Sequence, residues 1–340
     1  MFRGGGGRPG TPVRPLPRVF PGTFPGVLPA ARTARPDECG TGVRADGPLY
    51  DRGVDATEVR APDRARGSGP VAGLAASCHP GPTAAVTVLV TALAVAAGYS
   101  PAGSALVAGA VLAGQLSVGW CNDAFDAARD AALGRRGKPV AAGAVRPRTV
   151  WAAAWTALAL CVPLSLAVGP LAGAVHLAGV AAAWAYDLGW KATVWSWLPY
   201  ALGFASLPAF VALGLPGRPW PAWWVVLAAA LLGAGAHLAD TLPDIAGDLA
   251  TGVRGLPHRL GGAAVRRILP AVLVAATAAL VLGPPGPPSA TGAAALAGAA
   301  TAALAGSALA ARRPGAPFAA AVLVAGVDVA LLFAEGGVTG

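Results

Sequence analysis

The chain has 340 residues, of which 55% are hydrophobic and only 12% charged, and its mean hydropathy is +0.59. A soluble protein carries about a quarter charged side chains, so this composition excludes a water-facing surface over most of the chain and implies a membrane protein. The net charge of +9 would suit a nucleic-acid binder, but most of its basic residues past residue 80 lie in short runs between long apolar stretches. No RNA-binding aromatic motif or basic helix accompanies them, so no nucleic-acid partner is expected.

Residues 1–80 are rich in Gly, Pro and Arg and hold 11 basic and 7 acidic side chains. Such a segment buries too little apolar surface to offset its chain entropy, so a disordered tail is expected here, followed by a transmembrane domain over 81–340. It lacks an apolar core of signal-peptide length near Met1, which argues against a secretory leader. The acids mixed among its arginines argue against a transit peptide. Met1 is the only methionine, and the break in composition leaves open a start further down, at a valine such as Val71.

From Thr83 onward nine apolar runs follow, at 83–99, 102–121, 149–168, 170–186, 194–214, 221–239, 264–283, 291–311 and 317–334. Each suits a helix crossing a bilayer core, which takes about 20 residues. The fold class expected is an all-α, multi-pass bundle of about nine helices, packed closely because the runs are rich in Ala and Gly. When the loops are assigned to alternate sides, one side collects thirteen basic residues, from Arg129 to Arg313, and the other has Arg218 alone. That bias puts the basic side in the cytoplasm together with the N-terminus, and Gly340 outside a cytoplasmic membrane.

Four cysteines, Cys39, Cys78, Cys121 and Cys161, are scattered without CxxC spacing, which predicts neither a zinc site nor a disulfide. The acids are more informative. Nine follow residue 80, seven fall on the basic side, and six of those form two clusters. The first, at the inner end of the second run, is Asn122, Asp123, Asp126, Arg129 and Asp130. The second, at the inner end of the sixth, is Asp240, Asp244 and Asp248. Steps of three and four residues align the carboxylates of each set on one helical face. Like charges so spaced repel, and a membrane boundary has no structural need of them. Carboxylates with few other ligands suit Mg²⁺, which keeps waters and recruits phosphate oxygens to complete its shell. Two such faces across a cavity would hold a diphosphate through bridging metals. Arg129, Arg135, Arg136, Lys138 and Lys191 would neutralise the rest of its charge.

At these residues the sequence resembles the UbiA superfamily of intramembrane prenyltransferases. The NDxxDxxxD signature stands intact at Asn122, Asp123, Asp126 and Asp130. The second Asp-rich motif is matched by Asp240, Asp244 and Asp248, with Ala239 in place of Asn. Gly252 to Pro257 then follows, with Arg254 kept and Gly255 in place of Thr. Arg135-Arg136-Gly137-Lys138-Pro139 keeps both cationic positions of a K-P-x-R-P segment, and Tyr186 with Lys191 matches a Tyr and Lys pair, one residue wider than in many members. The resemblance covers about residues 78–335 and implies transfer of an isoprenyl group from a prenyl diphosphate to an aromatic, quinone-precursor or lipid acceptor, with Mg²⁺. It implies metal ligation by Asp123, Asp126, Asp130, Asp240, Asp244 and Asp248, with Tyr186 catalytic. Diphosphate binding falls to Asn122, Arg129, Arg135, Lys138, Lys191 and Arg254. A membrane terpene cyclase of the same superfamily is the alternative, and a cation transporter a more distant one.

Among the remaining polar residues, His237 lies three residues before Asp240, where it either orients that acid or simply packs. Asp328 and His176 sit inside apolar runs and should face the bundle in interhelical hydrogen bonds. Tyr186 is the aromatic best placed to shield an allylic cation. Trp220, Trp223 and Trp224 read as an interfacial belt, as do Trp195 and Trp197. His79-Pro80 reads as the entry turn of the first run.

Overall fold

The structure is a computed structural model that describes residues 69–135, 137–335 and 337–339. The expected tail lies outside the described residues up to position 68. Its last stretch is folded: α1 runs over Pro70–Ala76, and a turn carrying buried Cys78 leads into α2, Pro80–Ala96. The two helices are bent by 59° at this turn. The folded part therefore begins before the expected boundary at 81, because Leu74 and Cys78 find partners at Trp120 and Gly119 on the helix over Pro101–Ala132. Trp120 donates its indole N–H to the Leu74 carbonyl at 2.8 Å. Gly119 has no side chain where the Cys78 backbone crosses it, and an added Cβ would collide with that carbonyl.

The third helix, α3, spans Pro101–Ala132 without interruption. Ser100 caps it by accepting from the Gly103 N–H at 3.1 Å. At 1.5 Å per residue its 32 residues reach about 48 Å, longer than a bilayer core of about 30 Å, and the first acid cluster lies in its last turns. Next come α4 (Pro147–Val168) and α5 (Pro170–Leu188), then a single 3₁₀ turn over Trp190–Ala192 and α6 (Trp197–Leu213). The first five helices all begin with a proline, whose missing N–H costs nothing in the first turn and whose φ is already helical.

After α7 (Trp223–Thr241) come two short helices, α8 (Ile245–Ala250) and α9 (Leu256–Leu260). The chain closes with α10 (Gly262–Leu282), α11 (Ala290–Leu309) and α12 (Ala316–Glu335). The nine long helices occupy the nine expected runs. Seven of them are long and apolar enough to cross a membrane individually. Of the other two, α2 passes only jointly with α1, and α6 is a shorter apolar helix of 17 residues. No strand occurs among the described residues.

Lipid tails are as apolar as leucine, so helix association rests on close packing rather than on release of water. One buried cluster joins α2, α3, α6, α7, α10 and α12 around Val107, Phe210, Val225 and Leu280. A second joins α7, α10, α11 and α12 around Leu269, Leu273 and Val324. Asp328 and His176 form the interhelical hydrogen bonds expected of them. Asp328 Oδ1 accepts from Thr277 Oγ1 at 2.6 Å, and His176 Nδ1 pairs with Ser165 Oγ at 2.8 Å while its ring stacks on Phe210.

Two truncations test the revised boundary. Removing residues 1–68 should leave the thermal unfolding midpoint in detergent unchanged. Removing residues 1–79 should lower it, because the Trp120 indole and the surface over Gly119 lose their partners.

Candidate functional site

The two acid clusters meet across one cavity of about 340 Å³, polar on the side of the helix ends and apolar further in. The first cluster arrives as the sequence implies. Because α3 is unbroken through Ala132, Asp123, Asp126 and Asp130 fall on its inner face and are 2%, 5% and 2% exposed. The second cluster does not lie on one helix. Pro243 supplies no N–H and its ring obstructs the preceding turn, so α7 ends at Thr241 and a turn intervenes. Asp240 is therefore in the last turn of α7, Asp244 at the start of α8 and Asp248 within it. All three still line the cavity.

The carboxylates are held by cations drawn from distant parts of the chain. Lys138 Nζ donates to Asp123 Oδ1 at 2.7 Å and to His79 Nε2 at 2.8 Å, while His79 Nε2 lies 3.1 Å from the same carboxylate oxygen. An ammonium only donates, so in this arrangement Nε2 accepts and the His79 proton sits on Nδ1. His79 adopts φ 56°, ψ 64°, a left-handed conformation that is costly for a residue with a side chain. Lys138 and His79 line the cavity, and Asp123 stands behind them, its Oδ2 buried without a partner.

Asp126 is bracketed by Arg129 Nη2 at 2.7 Å on one oxygen and Lys191 Nζ at 2.6 Å on the other. Lys191 comes from the 3₁₀ turn after α5, so the wider Tyr and Lys spacing still brings its ammonium to the first cluster. Arg135 bridges the two clusters. Its Nη1 reaches Asp130 Oδ1 at 3.1 Å, and its Nη2 lies 3.0 Å from Asp248 Oδ1 and 3.3 Å from Asp244 Oδ1. Asp248 also pairs through Oδ2 with His258 Nε2 at 3.2 Å. Burial alone would raise the Asp248 carboxyl. The His258 contact and the Arg129 and Arg135 guanidiniums outweigh it and hold the group below its ordinary value. Arg135, though burial works against its charge, is driven further toward the charged form by Asp244, Asp248 and Asp130.

Asp240 accepts from Tyr200 Oη at 3.1 Å. Its orienting partner is thus Tyr200 and not His237, which bonds Ser196 Oγ at 3.0 Å and is 1% exposed. The Tyr186 ring packs edge-on against Tyr200 at 5.0 Å and against His237 at 5.5 Å, and Tyr186 and Tyr200 both face the cavity. Asn122 lines it too and donates to Asp187 Oδ1 at 2.8 Å.

Arg254 is a site candidate that the structure does not bring in. It is exposed, it is absent from the cavity wall, and only its backbone carbonyl is engaged, by Arg259. The turn over 251–255 puts Val253 on the cavity wall in its stead. Arg136 and Cys39 lie outside the described residues, while Cys78, Cys121 and Cys161 are free thiols. Trp195, Trp220 and Trp223 are exposed, which agrees with an interfacial belt, whereas Trp224 packs against Gly283.

Residues 84–327 match the family model described as the UbiA prenyltransferase family. The chain belongs to that family. As a UbiA protein with seven helices, among the described residues, long and apolar enough to cross a membrane, it is an integral membrane protein. Over 172 residues it is 35% identical to the bacteriochlorophyll synthase 33 kDa chain of Cereibacter sphaeroides. That match takes in 45% of this chain and 54% of the other, so the chain spans about half the length of the curated relative it matches. Among solved structures, a UbiA homolog from Aeropyrum pernix superposes with a TM-score of 0.57 at 20% identity, covering 79% of this chain and 99% of that one. A UbiA homolog from Archaeoglobus fulgidus bound to GPP and Mg²⁺ gives a TM-score of 0.57 at 17% identity, over 77% and 98%. At these identities the likeness establishes the UbiA fold.

Proposed function

We propose that this chain transfers an isoprenyl group from a prenyl diphosphate to an aromatic, quinone-precursor or lipid acceptor, with Mg²⁺ as cofactor. One observation carries the reading. Two carboxylate clusters and the basic groups Arg129, Arg135, Lys138 and Lys191 converge on the polar end of a cavity whose far walls are apolar. That division matches a diphosphate head and a hydrocarbon tail.

The donor set fits Mg²⁺. It consists of hard carboxylate oxygens, and one of them, Asp123 Oδ2, is buried with no partner. Asp123, Asp126 and Asp130 would hold metal from one side, and Asp240, Asp244 and Asp248 from the other. When bound, Mg²⁺ supplies Lewis-acid stabilisation of the departing diphosphate. Lys138 and Lys191 exchange their carboxylates for phosphate oxygens, and Arg129 and Arg135 add charge-assisted donors. Tyr186 and Tyr200 present π-faces to the allylic cation, and the apolar wall excludes the water that would quench it.

Purified protein in nanodiscs, given labelled prenyl diphosphates and an acceptor panel, should form prenylated acceptor with Mg²⁺ and none with EDTA. Product made without any acceptor would identify the terpene cyclase instead. Lys138→Ala and Lys191→Ala should each weaken prenyl diphosphate binding by about 10- to 100-fold, the range for losing a hydrogen bond to a charged group. Acceptor KM should move less.

The same reading places the cavity mouth at the cytoplasmic face of the cell membrane, supported by the thirteen-to-one division of basic residues. A reporter fused after Gly340 should be active only outside the cytoplasm. A cytoplasmic signal would remove one of the nine crossings.

A further inference from the structure

Six of the seven acids on the basic side belong to the two clusters; the seventh, Asp187, does not. It ends α5 beside Tyr186, lines the cavity and is 2% exposed. Its Oδ1 accepts from Asn122, and its Oδ2 is buried without a hydrogen-bond partner. The cations around it are engaged elsewhere. Lys191 donates to Asp126, and among the described residues Asp187 takes part in none of the ion pairs that neutralise Asp123, Asp126, Asp130, Asp244 and Asp248. Asp240, the other cavity acid without an ion pair, already accepts from Tyr200. A buried carboxylate oxygen left unpaired is costly, and a ligand O–H is the group that would satisfy it.

Capture of a prenyl cation by a neutral nucleophile leaves one proton too many on the product. We propose that Asp187 receives this proton, and that the acceptor is accordingly a neutral hydroxyl compound, a phenol or an alcohol, and not a carboxylate anion. The inference rests on the prenyl-transfer reading above. In the step, the allylic C–O bond to diphosphate breaks and its electron pair leaves with the diphosphate. The acceptor oxygen supplies the pair for the new C–O bond, and its proton passes to Asp187 Oδ2. A carboxylate acceptor has no proton to give and would set like charge against Asp187.

The test uses full-length protein in nanodiscs with Mg²⁺, labelled geranylgeranyl diphosphate, and matched phenol, alcohol and carboxylic acid acceptors. Wild type should prenylate the hydroxyl compounds and leave the acids untouched. Asp187→Asn should cut transfer by about 10²- to 10⁴-fold, the usual contribution of a positioned base. Its equilibrium affinity for the diphosphate should stay within about twofold, since the direct diphosphate contacts are elsewhere. Asp187→Glu should recover part of the rate. If Asp187 only holds Asn122 in place, Asp187→Asn and Asn122→Ala will both lose diphosphate affinity, which overturns the proposal. Near-normal transfer by Asp187→Asn, or a wild-type preference for carboxylates, overturns it as well. Should Asp187→Asn not fold, the wild-type acceptor preference decides alone. A wild type that consumes no prenyl diphosphate overturns the prenyl-transfer reading itself, and this proposal with it.

Discussion

Asp126→Asn and Asp244→Asn will each remove most turnover, by about 10²- to 10³-fold, and the double variant will lose little more than either single one. The reason is their place in one assembly. Asp126 is on α3 and Asp244 at the head of α8, yet both face the same cavity, and Arg135 reaches from the first cluster to the second. If metal and diphosphate bridge the two sides, loss of either carboxylate disables the unit, and the second loss has little left to disable. Turnover of the purified single and double variants, after thermal unfolding has shown each to be folded, measures the coupling. Multiplicative effects would mean two independent sites, and near-normal, EDTA-resistant transfer would remove the metal mechanism altogether.

Arg135→Ala should destabilise the metal-free protein far more than the metal-bound one. The guanidinium offsets three carboxylates, and without it Asp130, Asp244 and Asp248 repel across the gap with only His258 left to Asp248. A loss of about 1–3 kcal/mol is expected in EDTA, the range for stranding a partly buried polar partner. Under the proposed function Mg²⁺ would bind the folded state, take over the neutralisation and restore much of the loss by mass action. The measurement is the unfolding midpoint in detergent, with EDTA and with a series of Mg²⁺ concentrations. Wild type should gain less from the metal than the variant does. An equal gain in both would show that Arg135 and the metal do not compete for the same oxygens.

How far the site could be read from the sequence depends on chain distance. The nine apolar runs are visible because each is a local property of about 20 residues. The first cluster is visible because no breaker interrupts α3, so spacing converts directly into a face. The second was expected on a single helical face, and Pro243 divides it between α7 and α8, a consequence that the step of four conceals. The ion pairs are less visible still. Lys138 reaches Asp123 across 15 positions, His79 across 44, and Arg135 reaches Asp248 across 113, so no periodicity announces them. His79 reads as an entry turn until the bend between α1 and α2 swings it over the cavity. Tyr200 reads as one of several aromatics near the acid clusters that could shield an allylic cation, but its bond to Asp240 has no signal in the sequence, and Asp187, an isolated acid at the end of an apolar run, resembles an interfacial anchor. The available signal for Asp187 is its place directly after Tyr186. Arg254 shows the opposite failure: a motif position present in the sequence whose turn faces away.

The length of α3 bears on how a prenyl diphosphate would reach the site under the proposed function. A helix of about 48 Å with its acids in the last turns, beside a cavity with apolar walls, would set the proposed reaction near the depth where an amphiphile floats. Each buried CH₂ of a prenyl chain contributes about 0.8 kcal/mol to partitioning, so a chain of several isoprene units resides almost wholly in the bilayer. Its approach would then be a two-dimensional search, with saturation following the mole fraction of substrate among the lipids and not its molarity in the buffer. Adding inert lipid at constant total substrate should slow the reaction by dilution within the surface, with the protein itself unchanged.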